Sequence, residues 1–434
     1  MANNNVNVRA LALDILSRCE SGGYSNINLD TAIKRHCLSP LDRGFLTALL
    51  YGTIERKITL DFIIASLSSI PNSKIEKDTR NILRLGLYQL RYMEKVPEFA
   101  AINETVNLAN KRSKGFVNAI LRSYLRQKDK ISFPDESDKV KYLSITYSIS
   151  EDLADASLGA YTFEECKKML EAFGERTPIT LRVNNLKATR AEILSEIDGA
   201  TLTPISPDGI IVEHIAVSEL DALRDGRVTV QDEASQICVR ALGAKAGDTV
   251  LDVCACPGSK SFGAAMTMEN EGKILSFDIH ENKLSLVRDG ADRLGISIIS
   301  TQAQDARKPI EELFEKADKI ICDVPCSGFG VIGKKPEIRY KNVSDCAALP
   351  KIQLDILENV SKYLKTGGTL VYSTCTILPD ENEININEFL KNHKEFELVP
   401  FSVGTLKVDS GMITLLPHIH NTDGFFIAKL TRKY

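Results

Sequence analysis

From residue 249 onward short apolar runs alternate with segments of helical periodicity, and no other feature of the chain restricts its fold as strongly. Strands are expected at 249–253, 273–278, 298–303, 319–323 and 369–373, with helices starting at Lys260, Lys283 and Leu349. Such a βα succession predicts a parallel sheet covered by helices on both faces, a Rossmann-like α/β domain over 236–434.

Upstream the pattern changes. Residues 1–139 show helical periodicity without strand-like alternation, so an all-α domain is expected. Ser39 and Pro40 start one helix, because a serine hydroxyl accepts an orphan backbone N–H and proline needs none at the next position. Leu41, Phe45 and Leu49 lie on one face of it, extended by Leu46, Leu50 and Ile54. Further helices are expected at 81–92 and 103–125. The polar, turn-rich stretch 127–139 reads as a linker. Residues 140–235 are expected to hold a helical pair over 142–173 and a small α+β module, with strands at 179–183 and 209–212 around a helix at 190–197.

Charge divides the chain in the same way. The formal charge of -4 hides a net +6 in residues 1–140 and a net -10 in the rest. Lys111, Arg112, Lys114, Arg122 and Arg126 fall in one expected helix with Tyr124 among them, a basic stripe suited to RNA phosphates with an aromatic available to stack on a base; a solvated helix face is the plain alternative. With 43% hydrophobic and 26% charged residues the composition is that of a globular protein. The N-terminus lacks a basic segment followed by an apolar one, and no apolar run approaches the roughly 18 residues of a membrane span, so a cytoplasmic location without membrane association is expected. Ten scattered cysteines read as reduced thiols.

Ligands of open α/β sheets sit beyond the C-terminal strand ends. The first strand runs into Cys254-Ala255-Cys256-Pro257-Gly258-Ser259-Lys260, a tight loop opening a helix, where backbone N–H groups approach a ligand closely. Asp278 ends the next strand and is positioned for both hydroxyls of an adenosine ribose, and Asp305 follows the third as a partner for the adenine amino group. Either acid alone would pass for a solvated loop residue; their joint position at strand ends favours the ligand reading. Gly328-Phe-Gly330-Val-Ile-Gly333 matches G-x-G-x-x-G formally, but it follows a late strand and opens no helix, so a dinucleotide fold is rejected.

The fourth strand opens into Asp323-Val-Pro-Cys326 and the fifth into Ser373-Thr-Cys375, which brings two thiols to one crevice if the strands are neighbours. The usual fate of a cysteine, a small buried hydrophobe, is expected for Cys19, Cys37, Cys166, Cys238, Cys322 and Cys346. Cys254 and Cys256 with His418 and His420 make a poor zinc signature, so no metal is expected. A cysteine hydrolase needs a histidine base, and none is near in sequence.

Taken together, 252–260, 323–328 and Tyr372-Ser-Thr-Cys375 resemble the S-adenosylmethionine-dependent RNA cytosine-C5 methyltransferases. Leu181-Arg-Val-Asn184, Gln231-Asp-Glu-Ala-Ser-Gln236 and Thr422-Asp-Gly-Phe-Phe426 are similar to the flanking elements of that family, and 116–122 with Asp42-Arg43 resembles the NusB-like RNA-binding domain. The pairing resembles the RsmB (Sun/Fmu) small-subunit ribosomal RNA methyltransferases across nearly the whole chain. The resemblance implies S-adenosylmethionine as cofactor, with 254–260 at its methionine end, Asp278 at the ribose, Asp305 at the adenine and Asp323 at the junction with substrate. It implies 16S ribosomal RNA as the partner, modified at a cytosine of the position-967 type; a monomer is expected. In this family Cys375 is the nucleophile on C6 and Cys326 assists product release. Cys256, Ser259, Val324 and Gly333 depart from the usual residues, alanine, glycine, alanine and a basic residue respectively, and 147–150 lacks a Pro-x-Trp-Leu element. An amino-methylating enzyme is disfavoured, since it would carry Asp/Asn-Pro-Pro-aromatic at the fourth strand. A DNA enzyme drawing its nucleophile from the Pro-Cys loop, the same chemistry on transfer RNA or another RNA, and a non-catalytic RNA-binding assembly factor stay open.

Overall fold

The structure, a computed structural model, describes residues 6–20, 25–175, 178–213, 215 and 217–434. The chain divides into two compact units, Met1–Lys167 with Lys335–Asn342, and Lys168–Lys334 with Val343–Tyr434. Among the described residues no helix is long and apolar enough to cross a membrane.

The first unit is helical: α1 (Val8–Cys19), α2 (Ser25–His36), α3 (Pro40–Glu55), α4 (Lys57–Leu67), α5 (Lys77–Tyr92), α6 (Glu98–Leu108), α7 (Lys114–Gln127), α8 (Lys139–Tyr147) and α9 (Glu151–Ala160). The Ser39 hydroxyl accepts from the Asp42 N–H at 3.1 Å, capping α3 as its sequence predicts. Leu46, Leu49 and Leu50 are fully buried, but Leu41 is 87% exposed: it lies in the first turn, outside the stripe that packs on α1 and α5. The single helix expected over 103–125 is two. Asn110 breaks it, its side-chain oxygen accepting from the N–H groups of Arg112 (3.0 Å) and Ser113 (2.9 Å) in a local turn that competes with helix. Tyr124 is 2% exposed in the helical core, so its ring is not available to a base; periodicity cannot tell which face of α7 holds the ring until α5 covers it.

The sequence boundary at 139/140 differs from the division at 167/168 because α8 packs on α4. The Thr59 hydroxyl donates to Ile145 O (2.6 Å), and the Ile58 N–H donates to the Ser148 hydroxyl (2.9 Å). Residues 335–342 also belong to this unit. Arg339 is 1% exposed and donates to Tyr147 O (3.1 Å) and Glu55 (3.2 Å), while the Tyr340 hydroxyl donates to Ile54 O.

After α10 (Phe163–Gly174), a small antiparallel sheet of order β2-β3-β1-β4 is built from β1 (Ile179–Val183), β2 (Thr201–Leu202), β3 (Gly209–Val212) and β4 (Val228–Val230), with α11 (Arg190–Glu196) and α12 (Asp221–Arg224) between strands. Next, α13 (Glu233–Leu242) leads into β5 (Thr249–Asp252), α14 (Ser259–Thr267), β6 (Lys273–Asp278), α15 (Leu284–Leu294), β7 (Ile299–Ala303), β8 (Ala317–Asp323), α16 (Leu349–Val360) and β9 (Leu364–Thr374). The chain closes with α17 (Glu383–Asn392), β10 (Phe396–Leu398), a β11 (Phe401–Val403) to β12 (Leu406–Val408) hairpin, β13 (Met412–Leu415), α18 (Pro417–His420) and β14 (Phe425–Arg432).

The large sheet runs β10-β14-β9-β8-β5-β6-β7. Strands β5 to β9 are parallel, as expected, but β14 lies antiparallel to β9 and pairs antiparallel with β10 and β13, so the sheet is mixed. The connection from β13 to β14 is shorter than the dozen or so residues a parallel crossover needs. Buried polar residues join the small sheet to the helices α14 and α15. Arg182, 1% exposed, pairs with Asp208 at 2.8 Å and donates to Gly263 O in α14 (3.3 Å), and the Asn184 side-chain amide donates to Gly226 O and Leu294 O. Burial lowers the Arg182 pKa to about 10 against the opposing charge of Asp208.

Candidate active site

Strand order reverses at β5, which pairs with β8 on one side and β6 on the other, so a crevice opens above its C-terminal end. A cavity of about 450 Å³ occupies this place, and its walls include Cys254, Cys256, Asp278, Asp305, Asp323, Cys326 and Cys375.

On one side the loop after β5 turns sharply. The Cys256–Pro257 peptide is cis, and Gly258 has φ 108°, a left-handed conformation that glycine adopts freely. A Cβ at Gly258 would lie 2.5 Å from the Phe262 ring, so a side chain here meets both strain and a clash. The Asp278 carboxylate accepts from the Cys256 N–H (3.2 Å) and the His280 N–H (2.9 Å), which hold it at the cavity wall. These features fit an adenosine cofactor: an oriented carboxylate for ribose hydroxyls, with Val253, Ile279, Ile352 and Ile356 as apolar lining for a base. Asp305 stands at the same wall but is clamped by Arg307, which donates from its backbone (3.0 Å) and its guanidinium (3.0 and 2.8 Å). Of the loop 254–260, only Cys254 and Cys256 are among the lining residues; Ala255, Pro257, Gly258, Ser259 and Lys260 are not. Burial and the Asp278 charge raise the Cys256 thiol to about 12, so it stays protonated.

On the other side β8 and β9 are parallel neighbours with Asp323 opposite Ser373, so Cys326 and Cys375 leave adjacent strands at the same end. Their Sγ atoms are 2.9 Å apart, and the Cys375 N–H donates to Cys326 Sγ at 3.2 Å. The hydrogen bond with Cys375, then burial, then the charges of Cys375 and Glu381 push the Cys326 thiol well up. Lys260, 8% exposed, reaches the Asp323 carboxylate at 2.6 Å, and the Ser373 hydroxyl donates to the same group at 2.7 Å. Burial alone would lower the Lys260 ammonium, but Asp323 outweighs it and holds the group above its ordinary value. The Lys260 side chain is thus paired with Asp323.

Among the cysteines expected to be buried hydrophobes, Cys166, Cys238, Cys322 and Cys346 are buried, Cys19 is intermediate and Cys37 is exposed. Cys37 has φ 47° just beyond α2, where the chain turns outward. The formal glycine fingerprint is a loop: a Cβ at Gly330 would sit 1.8 Å from Gly424 O and 2.9 Å from Cys375 O, so glycine serves close backbone packing there. Next to Gly333, Lys334 supplies a basic residue one position on and pairs with Asp232 (2.6 Å) and Asp423 (2.8 Å). Glu381 and Gln353, both buried near the thiols, escape sequence reasoning. The only hint was the polar run Pro379-Asp-Glu-Asn382 soon after Cys375.

Residues 239–431 match the family model described as 16S rRNA methyltransferase RsmB/F, and residues 6–126 match the NusB family. The chain is 40% identical to a protein of Bacillus subtilis (strain 168) called "Probable ribosomal RNA small subunit methyltransferase B", over 98% of this chain and 99% of that one. It is 33% identical to ribosomal RNA small subunit methyltransferase B of Escherichia coli (strain K12), over 98% and 99%. A crystal structure of a methyltransferase homolog protein from Pyrococcus horikoshii superposes with a TM-score of 0.59 at 29% identity, covering 68% of this chain and 98% of that one. The cofactor is S-adenosylmethionine. With identities of this size running nearly end to end, the chain belongs to the RsmB/F family of 16S ribosomal RNA methyltransferases.

Proposed function

We propose that the protein methylates C5 of a cytosine in small-subunit ribosomal RNA through a covalent adduct between Cys375 and C6 of the base. The observation that carries this reading is the pair of thiols 2.9 Å apart at adjacent strand ends, in the crevice that also holds Asp278 and Asp323. Cytosine C5 is too weak a nucleophile to take a methyl group unaided, and a thiolate added at C6 makes the ring enamine-like. When bound, S-adenosylmethionine supplies an electrophilic sulfonium methyl, which C5 of the activated ring takes up.

Each residue then has a task. A Cys326 held protonated donates to Cys375, which leaves Cys375 as the attacking sulfur. Asp323, held by the Lys260 cation and the Ser373 hydroxyl, accepts from N3–H of the ring, so that a proton taken from water at N3 as the sulfur adds, and returned when the sulfur leaves, offsets the negative charge that develops there. Release requires that the C5 proton pass to water, that its bonding electrons form the C5=C6 bond, and that the C6–S bond break to return Cys375 as thiolate. Cys326 receives that departing sulfur as hydrogen-bond donor. Asp278 orients the ribose and Asp305 meets the adenine, the latter once it shares its carboxylate with Arg307.

In the test, the purified protein is incubated with unmodified small-subunit ribosomal RNA and cofactor labelled in the methyl group, and the product is digested to nucleosides. Label in 5-methylcytidine is the expected result. Label in another nucleoside, or only with transfer RNA as substrate, would overturn the reading.

The basic stripe is the proposed RNA clamp. Lys111, Arg112, Lys114, Arg122 and Arg126 are exposed, and Lys114, Arg122 and Arg126 donate to Asn107, Asn118 and Ser123. Neutralising Lys111, Arg112 and Lys114 together should weaken RNA binding and flatten the log K against log salt slope by about 2 to 3, near one unit for each phosphate left without its cation. Titrations at several salt concentrations check it, and an unchanged slope would remove these residues from the interface.

A further inference from the structure

Behind the two thiols lies a buried polar cluster that the chemistry above does not use. Glu381 is 3% exposed and Gln353 and Ser327 are 0% and 1% exposed. One Glu381 carboxylate oxygen accepts from the Ser327 N–H (2.9 Å) and from the Gln353 amide (2.7 Å). That amide also donates to Pro325 O at 3.0 Å, so the backbone on both sides of Cys326 is held by one Glu–Gln pair. The cluster extends to the other thiol: the Ser327 hydroxyl bonds Thr376 at 2.8 Å, next to Cys375. The Tyr372 hydroxyl donates to Glu381 O (2.7 Å), and the Asn385 amide donates to the Gln353 side-chain oxygen (3.0 Å).

An acid is an expensive way to fix a loop. A buried carboxylate loses its hydration, and a neutral glutamine oxygen at the same point would accept both hydrogen bonds. Its charge therefore has a use beyond geometry. We infer that Glu381 is the positioning residue for product release, fixing the Pro325–Ser327 backbone and holding Cys326 as the hydrogen-bond donor that receives the departing Cys375 sulfur. This rests on the two-thiol reading above. The titratable groups facing Cys326 are Cys375, Glu381 and Tyr372, with Asp323 at the start of the same loop. The Glu381 charge acts in the required direction, raising the Cys326 thiol after the larger effects of the Cys375 hydrogen bond and burial.

Two substitutions separate charge from position. Glu381→Gln keeps an acceptor for Ser327 and Gln353 but removes the charge. Its alkaline limb of turnover, where Cys326 loses its proton, should move down by about one pH unit, the scale of one nearby charge. A covalent enzyme–RNA adduct should then persist in denaturing gels above that pH. Glu381→Asp keeps the charge but shortens the reach, so adduct should accumulate at every pH, with kcat falling and the cofactor KM unchanged. Cys326→Ala run alongside marks full trapping. If Cys326→Ala traps no adduct, the two-thiol reading falls and this inference with it. If it traps adduct while both Glu381 variants keep the wild-type pH profile and trap none, the two-thiol reading stands and the role of Glu381 is refuted.

Discussion

Cys375→Ala is expected to lower methyl transfer by at least about a thousandfold, the scale of losing a covalent nucleophile, and to form no adduct with RNA. Cys326→Ala is expected to form the adduct and keep it. The asymmetry follows from the surroundings of two sulfurs only 2.9 Å apart. Cys326 is held protonated by its hydrogen bond to Cys375, by burial and by nearby negative charge. A thiol in that state attacks slowly, since the thiolate is the nucleophile. Losing it spares the attack but removes the donor that Cys375 needs when it leaves. Denaturing gels with labelled RNA, scored beside methyl incorporation, read both variants at once. The opposite pattern, adduct with Cys375→Ala and none with Cys326→Ala, would exchange the two roles and match an enzyme that draws its nucleophile from the Pro-Cys loop. Equal losses without adduct in either would remove covalent catalysis.

How far such a site is legible in sequence depends on how local its determinants are. Asp278 ends a strand, and Cys326 and Cys375 closely follow two others, all with apolar runs visible in the chain; parallel order then brings them to one crevice. Glu381 and Gln353 lie on separate elements whose meeting is a tertiary event, so each reads alone as an ordinary polar residue. Strand β14 escaped for another reason. Its residues 425–428 are buried on both faces, and an apolar run of that kind has no period to mark it as strand. Its antiparallel place beside β9 depends on pairing across more than fifty residues of chain. Lys260 shows the limit of motif position. The loop places its backbone, but only the fold shows its ammonium turned to Asp323 and 5.1 Å from the Phe425 ring centroid.

That ion pair yields the second large effect. Asp323→Asn should destabilise the protein by about 3–5 kcal/mol, because it leaves the buried Lys260 cation without a counter-charge. One amide oxygen cannot replace two carboxylate oxygens that accept from Lys260 and Ser373 separately. Activity should fall as well, by roughly 10²- to 10³-fold, the scale of losing one preorganised electrostatic group, because the amide is a weaker acceptor for the ring N3–H than the carboxylate. Loss of stability and loss of chemistry are separable by removing both charges. The double variant Lys260→Met with Asp323→Asn eliminates the unpaired cation, and replacing a buried pair by apolar and neutral groups is often close to neutral. Its denaturation midpoint should therefore return most of the way to wild type while its methyl transfer stays as low as in Asp323→Asn. Recovery of turnover along with stability would mean that the pair only holds the fold. A double variant as unstable as the single one would mean that the two charges are not each other's main partners, and the Phe425 ring and the Ser373 hydroxyl would then be the groups that keep Lys260 and Asp323 in place.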